Sequence, residues 1–182
     1  MRAWRADIAG DLDAAEQLAV AAIELGERNS VANAAIGPSL PLGSVRWQQG
    51  RLGELLPILR ASSHEGDRGG SILLARGLAE FDESRPEAVI VLRAAAANDF
   101  ADLPLGSLWA GELVVAAETA FLLDCPDVGR TVRALLEPFA DQSSFNGTWI
   151  APPIAYGAAL AAAAAGEAGV DELFERALAV CV

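Results

Sequence analysis

The chain contains a single histidine, His64, which lies in the segment Ser-Ser-His-Glu-Gly at residues 62–66. A serine, a histidine and an acidic residue can together perform nucleophilic catalysis, but side chains that are adjacent in sequence seldom reach the geometry of a triad. The imidazole also has no cysteine or second histidine nearby with which it could share a metal ion. A solvated loop histidine is the favoured interpretation, so neither a catalytic residue nor a metal site is expected here.

Other polar motifs offer as little chemistry. Glu112 and Glu118 are six residues apart on a predicted helix, which places them on different faces and argues against a paired acid and base. The glycine-rich segment 66–71 could cradle an anion with its backbone amides, although an ordinary connector is favoured. A Walker-type phosphate loop is excluded because the chain contains no lysine. We therefore expect no enzyme activity and no cofactor.

The cysteines and the glycosylation motif are also interpreted structurally. Cys125 and Cys181 lie far apart without metal-ligand spacing, so both are predicted to be small buried hydrophobic residues in a reducing cytoplasm. The Asn-Gly-Thr sequence at residues 146–148 is expected to form only a turn. The sequence shows no pattern of a signal peptide at its start, which favours a cytoplasmic location.

The residues most suited to recognition are aromatic. Trp47, Trp109, Trp149 and Tyr156 fall on or just before the first helices of predicted helical hairpins, the helices that line the concave side of helical-repeat proteins. They could form a groove that binds a peptide or a small effector, with Trp149 expected to be the most exposed. Arg46 could add a charge for an acidic partner. The alternatives are packing between repeats for the aromatic rings and local ion pairing for the arginine.

Composition favours an all-α fold. Apolar residues make up 53% of the chain, so a sizeable core can form, while aromatics are few and alanine is abundant, which suits close-packed helices. The formal net charge of −12 argues against direct nucleic-acid binding, because that interaction requires a basic surface. The most apolar run, residues 150–165, is too short to span a bilayer and is expected to be a buried helix.

A repeated pattern suggests how these elements are organised. Apolar residues in the segment 166–181 recur at helical spacing, and similar stripes occur four times upstream. Aligning the second helices on Ala15, Leu55, Ala88, Thr131 and Val170 gives a period of roughly forty residues, which is typical of α-solenoids. We therefore predict one domain, residues 1–182, composed of about five helical hairpins.

Turn residues set the expected limits of individual helices. We expect the second helix to close at Gly26, and residues 29–43 to be irregular because they contain Pro38 and Pro41. Further helices are predicted at residues 72–81, at 107–123 and from Pro86, which suits the first turn of a helix. The last hairpin should pair residues 154–165 with residues 170–181.

Three segments resemble a known family. These are Ala-Gly-Asp-Leu-Asp-Ala-Ala-Glu at residues 9–16, Arg-Trp-Gln-Gln-Gly-Arg-Leu-Gly-Glu-Leu at 46–55, and Asn-Asp-Phe-Ala-Asp-Leu-Pro at 98–104, followed by Trp109. They look like the C-terminal tetratricopeptide-like helical-repeat region of large actinobacterial transcriptional regulators that carry LuxR-type or adenylate-cyclase-like domains. The resemblance implies a right-handed superhelix, and it implies that the chain is a fragment of a larger regulator or a short stand-alone relative.

Two functions follow as expectations. The first, implied by the resemblance, is a non-catalytic sensor module that binds a partner protein, a peptide or a small effector on its concave face. The alternative is a structural element through which the parent protein forms a homodimer, with the alanine-rich face at residues 158–165 packing against a second copy. Neither function requires a membrane or a nucleic acid.

Overall fold

The computed structural model describes residues 2–29, 36–62, 68–103, 105–106, 108–144 and 151–180. Within these ranges the chain is helical and contains no strand, which confirms the all-α prediction. No helix in the described ranges is long and apolar enough to cross a membrane. By the contacts between their Cα atoms, these residues divide into two compact units, one up to Leu52 and the other from Gly53 onward.

The first unit contains three helices, α1 (Arg2–Ile8), α2 (Leu12–Arg28) and α3 (Ile36–Gln48). The start of helix α2 is capped by Asp11, whose carboxylate accepts a hydrogen bond of 3.1 Å from the Ala14 amide. Helix α2 packs against both α1 and α3. A buried Asp7 joins α1 to α3 by accepting hydrogen bonds from Ser44 (3.0 Å) and Gln48 (2.7 Å).

Two limits predicted for this unit are wrong. Helix α2 continues through Gly26 to Arg28, because the Asn29 side chain donates a hydrogen bond of 2.7 Å to the Leu25 carbonyl and satisfies the helix end later than expected. Helix α3 begins at Ile36, inside the segment expected to be irregular, and includes Pro41. Pro38 falls in the first turn, where a missing amide hydrogen costs least, whereas Pro41 lies in the second turn and removes one hydrogen bond of the helix.

The second unit contains seven helices within the described ranges: α4 (Leu56–Ser62), α5 (Arg68–Leu78), α6 (Arg85–Ala95), α7 (Trp109–Leu122), α8 (Pro126–Leu136), α9 (Ile154–Ala165) and α10 (Val170–Val180). Helix α5 starts four residues before its predicted start and ends three before its predicted end. The glycines near its start were interpreted as a connector, but a glycine weakens a helix by only about 1 kcal/mol. Pro86 occupies the first turn of α6, as predicted.

Consecutive helices of this unit pair as α5 with α6, α7 with α8, and α9 with α10, and α7 packs between α5 and α9. The last pair turns at Gly166, whose φ of 73° is left-handed and ends α9. The two helices predicted to form the second hairpin, α3 and α4, belong to different units.

The core of the second unit lies around α7 and α9. Leu113, Val114 and Val115 of α7 are completely buried, and most alanines of α9 are buried as well. Because α9 packs against α7, α8 and α10, the alanine-rich face that was expected to meet a second copy is covered within the unit. Cys125 is also buried, as predicted, and that burial raises the pKa of its thiol. Cys181 lies outside the described residues.

Candidate functional site

An arginine on α5 links two helices of the second unit. The guanidinium of Arg76 forms ion pairs of 3.0 Å with Glu80, in the turn just after α5, and of 3.0 Å with Glu118 of α7. The side chains of Arg76, Glu80 and Glu118 are only 7%, 13% and 19% exposed. Such buried charges are tolerated only when they are paired and hydrogen-bonded, which is the arrangement observed here.

The loop before α4 holds one of these carboxylates in place. A carboxylate oxygen of Glu80 accepts a hydrogen bond of 2.7 Å from the backbone amide of Gly53, while its other oxygen pairs with Arg76. A charge-assisted hydrogen bond of this kind is stronger than a neutral one. Glu80 is therefore fixed from two directions, and it fixes Arg76 in turn.

The only tyrosine of the chain lies beside this group. Tyr156, in the first turn of α9, is half-buried, and its ring meets that of Phe174 on α10 edge-on with a centroid distance of 6.2 Å. Burial raises the pKa of the Tyr156 phenol, the charge of Glu118 raises it further, and Arg76 opposes that effect. We call Arg76, Glu80, Glu118 and Tyr156 the Arg76 cluster. It extends across α5, α7 and α9, and the surface of these three helices that carries it is called the inner face.

The charged groups of the Arg76 cluster are engaged with one another. The carboxylates of Glu80 and Glu118 both accept hydrogen bonds from the Arg76 guanidinium. The described residues also contain no group of three histidine, cysteine or acidic side chains that could hold a metal ion. What the cluster offers a ligand is a half-buried phenol beside ion-paired groups held in fixed positions.

The predicted site residues of the first unit make local contacts. Arg46 forms an ion pair of 2.9 Å with Glu16 of α2, and Arg51 reaches the other oxygen of the same carboxylate at 3.3 Å. Trp47 is only 6% exposed and belongs to the core. These contacts correspond to the alternatives considered for both residues, namely local pairing and packing.

The predicted site residues of the second unit do not all meet. Trp109 is nine residues from Glu118 on α7, which is about half a revolution, so it lies on the side opposite the Arg76 cluster. Its ring packs edge-on against Phe139 at a centroid distance of 5.6 Å. Of the aromatic residues proposed for binding, Tyr156 lies on the inner face. Trp149 and His64 lie outside the described residues.

Sequence reasoning missed Arg76 and Glu80, although a signal was present. Arg76 interrupts the apolar segment 72–79, and Glu80 directly follows it. The two residues are four positions apart, which is the spacing at which opposite charges pair on a helix. An arginine among residues that become buried needs a partner, and this requirement could have marked it. For Glu118, the sequence indicates only its spacing from Glu112 on the same helix and does not reveal Arg76 as its partner.

Comparisons with known proteins give no further guide to the site. No family model matches the chain, and neither the search of curated proteins nor the search of solved structures found a similar protein. The arrangement of the residues is therefore the basis for any functional assignment.

Tyr156 provides a spectroscopic test of the cluster. We expect its phenol to titrate above the ordinary value of about 10, and Glu118→Gln to bring the pKa down toward that value, because the substitution removes a negative charge and leaves Arg76. Absorbance of tyrosinate reports this residue alone, since the chain has no other tyrosine. Glu112→Gln, on another face of α7, is the control and should leave the titration unchanged.

The raised pKa of Tyr156 also determines how the stability of the fold changes with pH. Because the folded pKa of Tyr156 is higher than the unfolded one, the contribution of the neutral phenol to stability is complete below the unfolded pKa. It is lost as the pH rises through the folded pKa. Circular dichroism recorded in the same titration shows whether the helices persist. Equal shifts in the Glu112→Gln and Glu118→Gln variants would contradict the placement of Tyr156 beside Glu118.

Proposed function

We propose that this chain is a non-catalytic helical-repeat module that binds a partner protein, a peptide or a small effector on its inner face. The observation that carries the proposal is the Arg76 cluster, which places preorganised polar groups and an aromatic ring across α5, α7 and α9. The finer architecture belongs to the same proposal: a right-handed, tetratricopeptide-like superhelix of about five hairpins, with the inner face on its concave side.

The packing of the second unit supports this proposal. Three consecutive hairpins contribute their first helices to one surface, which is how helical-repeat proteins build an extended binding face. A ligand lying across that surface would cross the row from Arg76 through Glu118 to Tyr156. Because ion pairs already hold two of these side chains, little conformational freedom would be lost when a ligand binds.

A regulatory role is proposed from the resemblance to actinobacterial regulators of the LuxR-type or cyclase-like class. In such a protein the module would act in the cytoplasm as a sensor, and its bound partner or effector would control an output domain located elsewhere. The module itself would leave nucleic acid to that domain, because its formal charge of −12 repels a phosphate backbone.

Binding to the inner face can be tested by amide chemical shifts. A library of small-molecule fragments and short peptides is titrated into the ¹⁵N-labelled chain, and we expect the compounds that bind to shift amides near Arg76, Glu118 and Tyr156. Tyr156→Ala should weaken binding of those compounds at least tenfold, since it removes the half-buried aromatic ring and the hydroxyl group of the inner face.

The matched control is Ile90→Ser on α6. Ile90 is an exposed apolar residue outside the inner face, and its replacement should leave the affinity unchanged. The proposal fails if no compound shifts inner-face amides, or if Tyr156→Ala binds the same compounds as well as the unaltered chain does.

A further inference from the structure

Three large apolar side chains are exposed where α5 and α7 end. Phe81 is 41% exposed, Phe121 48% and Leu122 37%. Exposed acidic residues adjoin them in the turns that follow both helices. We call this set the acidic-aromatic surface; its members are Phe81, Phe121, Leu122, Asp82, Glu83 and Asp124.

Two contacts show that the ends of α5 and α7 lie together. Arg76 pairs with Glu118, and Arg85, four residues beyond Phe81, donates a hydrogen bond to the backbone carbonyl of Leu122. The two helices therefore run in the same direction, with Phe81 and Leu122 about one turn beyond the first contact. The apolar side chains of the two helices accordingly share one end of the second unit.

The Phe81 ring packs directly against the backbone of Gly53. A Cβ atom on Gly53 would come within 2.4 Å of the ring, so only glycine leaves room for the ring where it lies. The Gly53 amide is bound by Glu80, which directly precedes Phe81 in the chain. The exposed ring is thus held against a fixed backbone, which reduces the ordering needed when a partner covers it.

Charge decides what this surface can bind. From Gly53 onward the second unit has eight arginines against nineteen acidic residues, so it carries nearly all of the net negative charge of the chain. At the acidic-aromatic surface three exposed carboxylates adjoin the apolar side chains in sequence, while the nearby Arg85 is engaged with the Leu122 carbonyl. An occupant must therefore bring positive charge together with apolar area.

We propose that the acidic-aromatic surface docks a basic, apolar segment of a partner protein, with arginine or lysine at the carboxylates and a large apolar side chain on Phe121 and Leu122. A second copy of this chain is disfavoured, because it would bring the same negative charge. Anionic membranes and nucleic acids are repelled for the same reason. This surface is separate from the Arg76 cluster, and different variants test it.

The test uses a displayed library of random twelve-residue peptides selected against the whole chain. We expect the enriched peptides to combine basic with large apolar residues and to bind at least tenfold more weakly to Phe121→Ser. The triple variant Asp82→Asn/Glu83→Gln/Asp124→Asn should lose affinity to a similar extent, and the loss should shrink at high salt, because the attraction is screened. Ile90→Ser removes an exposed apolar side chain elsewhere and should bind normally.

The outcomes separate this proposal from its competitors. Enrichment of peptides without basic residues, equal binding to Phe121→Ser and the unaltered chain, or no enrichment at all would each overturn it. Binding of the chain to anionic vesicles or to duplex DNA would overturn it as well. If Phe121→Ser does not fold, as judged by circular dichroism, the triple charge variant alone decides, since its substitutions are exposed. Loss of peptide binding in Tyr156→Ala together with normal binding in Phe121→Ser would assign the peptides to the inner face and exclude this surface.

Discussion

Replacing Arg76 by methionine is expected to lower the free energy of unfolding by about 3–5 kcal/mol, because it leaves two buried carboxylates without their guanidinium partner. The side chains of Glu80 and Glu118 are 13% and 19% exposed, so solvent replaces the lost interaction poorly. Methionine fills much of the same volume, which limits any cavity. Denaturant unfolding followed by circular dichroism measures the difference.

The control is the same substitution in an exposed ion pair. Arg93 bonds Asp127 at 3.0 Å on the surface, with both side chains about half exposed, so Arg93→Met should lower the stability far less than Arg76→Met does. The triple variant Arg76→Met/Glu80→Gln/Glu118→Gln should recover much of the stability that Arg76→Met loses, because no unpaired charge remains buried. Equal losses in Arg76→Met and Arg93→Met would show that the Arg76 cluster has no special energetic role.

The same variant bears on function. The ion pair between Arg76 and Glu118 joins α5 to α7, so its loss would loosen the alignment of two of the three helices that form the inner face. Ligands of the inner face should consequently bind Arg76→Met less well even where it remains folded. The acidic-aromatic surface should also be affected, because the same ion pair sets the relative position of its two helices.

Local signals in the sequence were sufficient to predict that the chain is helical and to predict where several helices start or end. Pro86 starts a helix because its fixed φ suits a first turn, and Gly166 ends one because only glycine adopts a left-handed φ without strain. Both effects act within a few residues of the chain. They do not depend on what the helix later packs against, so the sequence alone reveals them.

The wrongly predicted helix limits were inferred from single glycine or proline residues, but contacts made by other residues decide where these helices begin and end. Gly26 resembles a terminator, yet α2 continues because Asn29 provides the end contact instead. Pro41 resembles a breaker, yet α3 contains it and packs on α2 with buried Leu42 and Val45. Packing of an apolar face contributes more to a helix than the propensity of one residue takes away.

The candidate site was predictable only in part for a related reason. Tyr156 was singled out as an aromatic residue near the start of a first helix, and it lies on the inner face. The spacing of Arg76 and Glu80 could have marked the arginine, but its second partner, Glu118, is 42 residues away, and only the packing of α5 on α7 brings these two together. A pair of charges at that separation leaves no periodic trace in the sequence.

Replacing Gly129 by valine is expected to lower the free energy of unfolding by about 3 kcal/mol, near the upper end of the usual cost of overpacking. A Cβ atom at this position of α8 would lie 2.9 Å from the Ala161 carbonyl oxygen and 3.0 Å from the Ala165 amide nitrogen. Both atoms belong to the backbone of α9, so the clash cannot be relieved by rotating a side chain. Helix α9 would have to move away from α8, which would disturb Tyr156 at its other end.

Gly43 of α3 provides the matched control, because it is also a glycine inside a helix but a Cβ atom there would meet nothing within 4 Å. Gly43→Val should change the free energy of unfolding by less than about 0.5 kcal/mol, since valine is slightly better than glycine in a helix and meets no obstacle. Thermal and denaturant unfolding of both variants isolate the effect of close helix approach from that of helix propensity. If Gly129→Val proved as stable as Gly43→Val, α8 and α9 could not be in the close contact described here, and the support that α9 gives to the inner face would be lost with it.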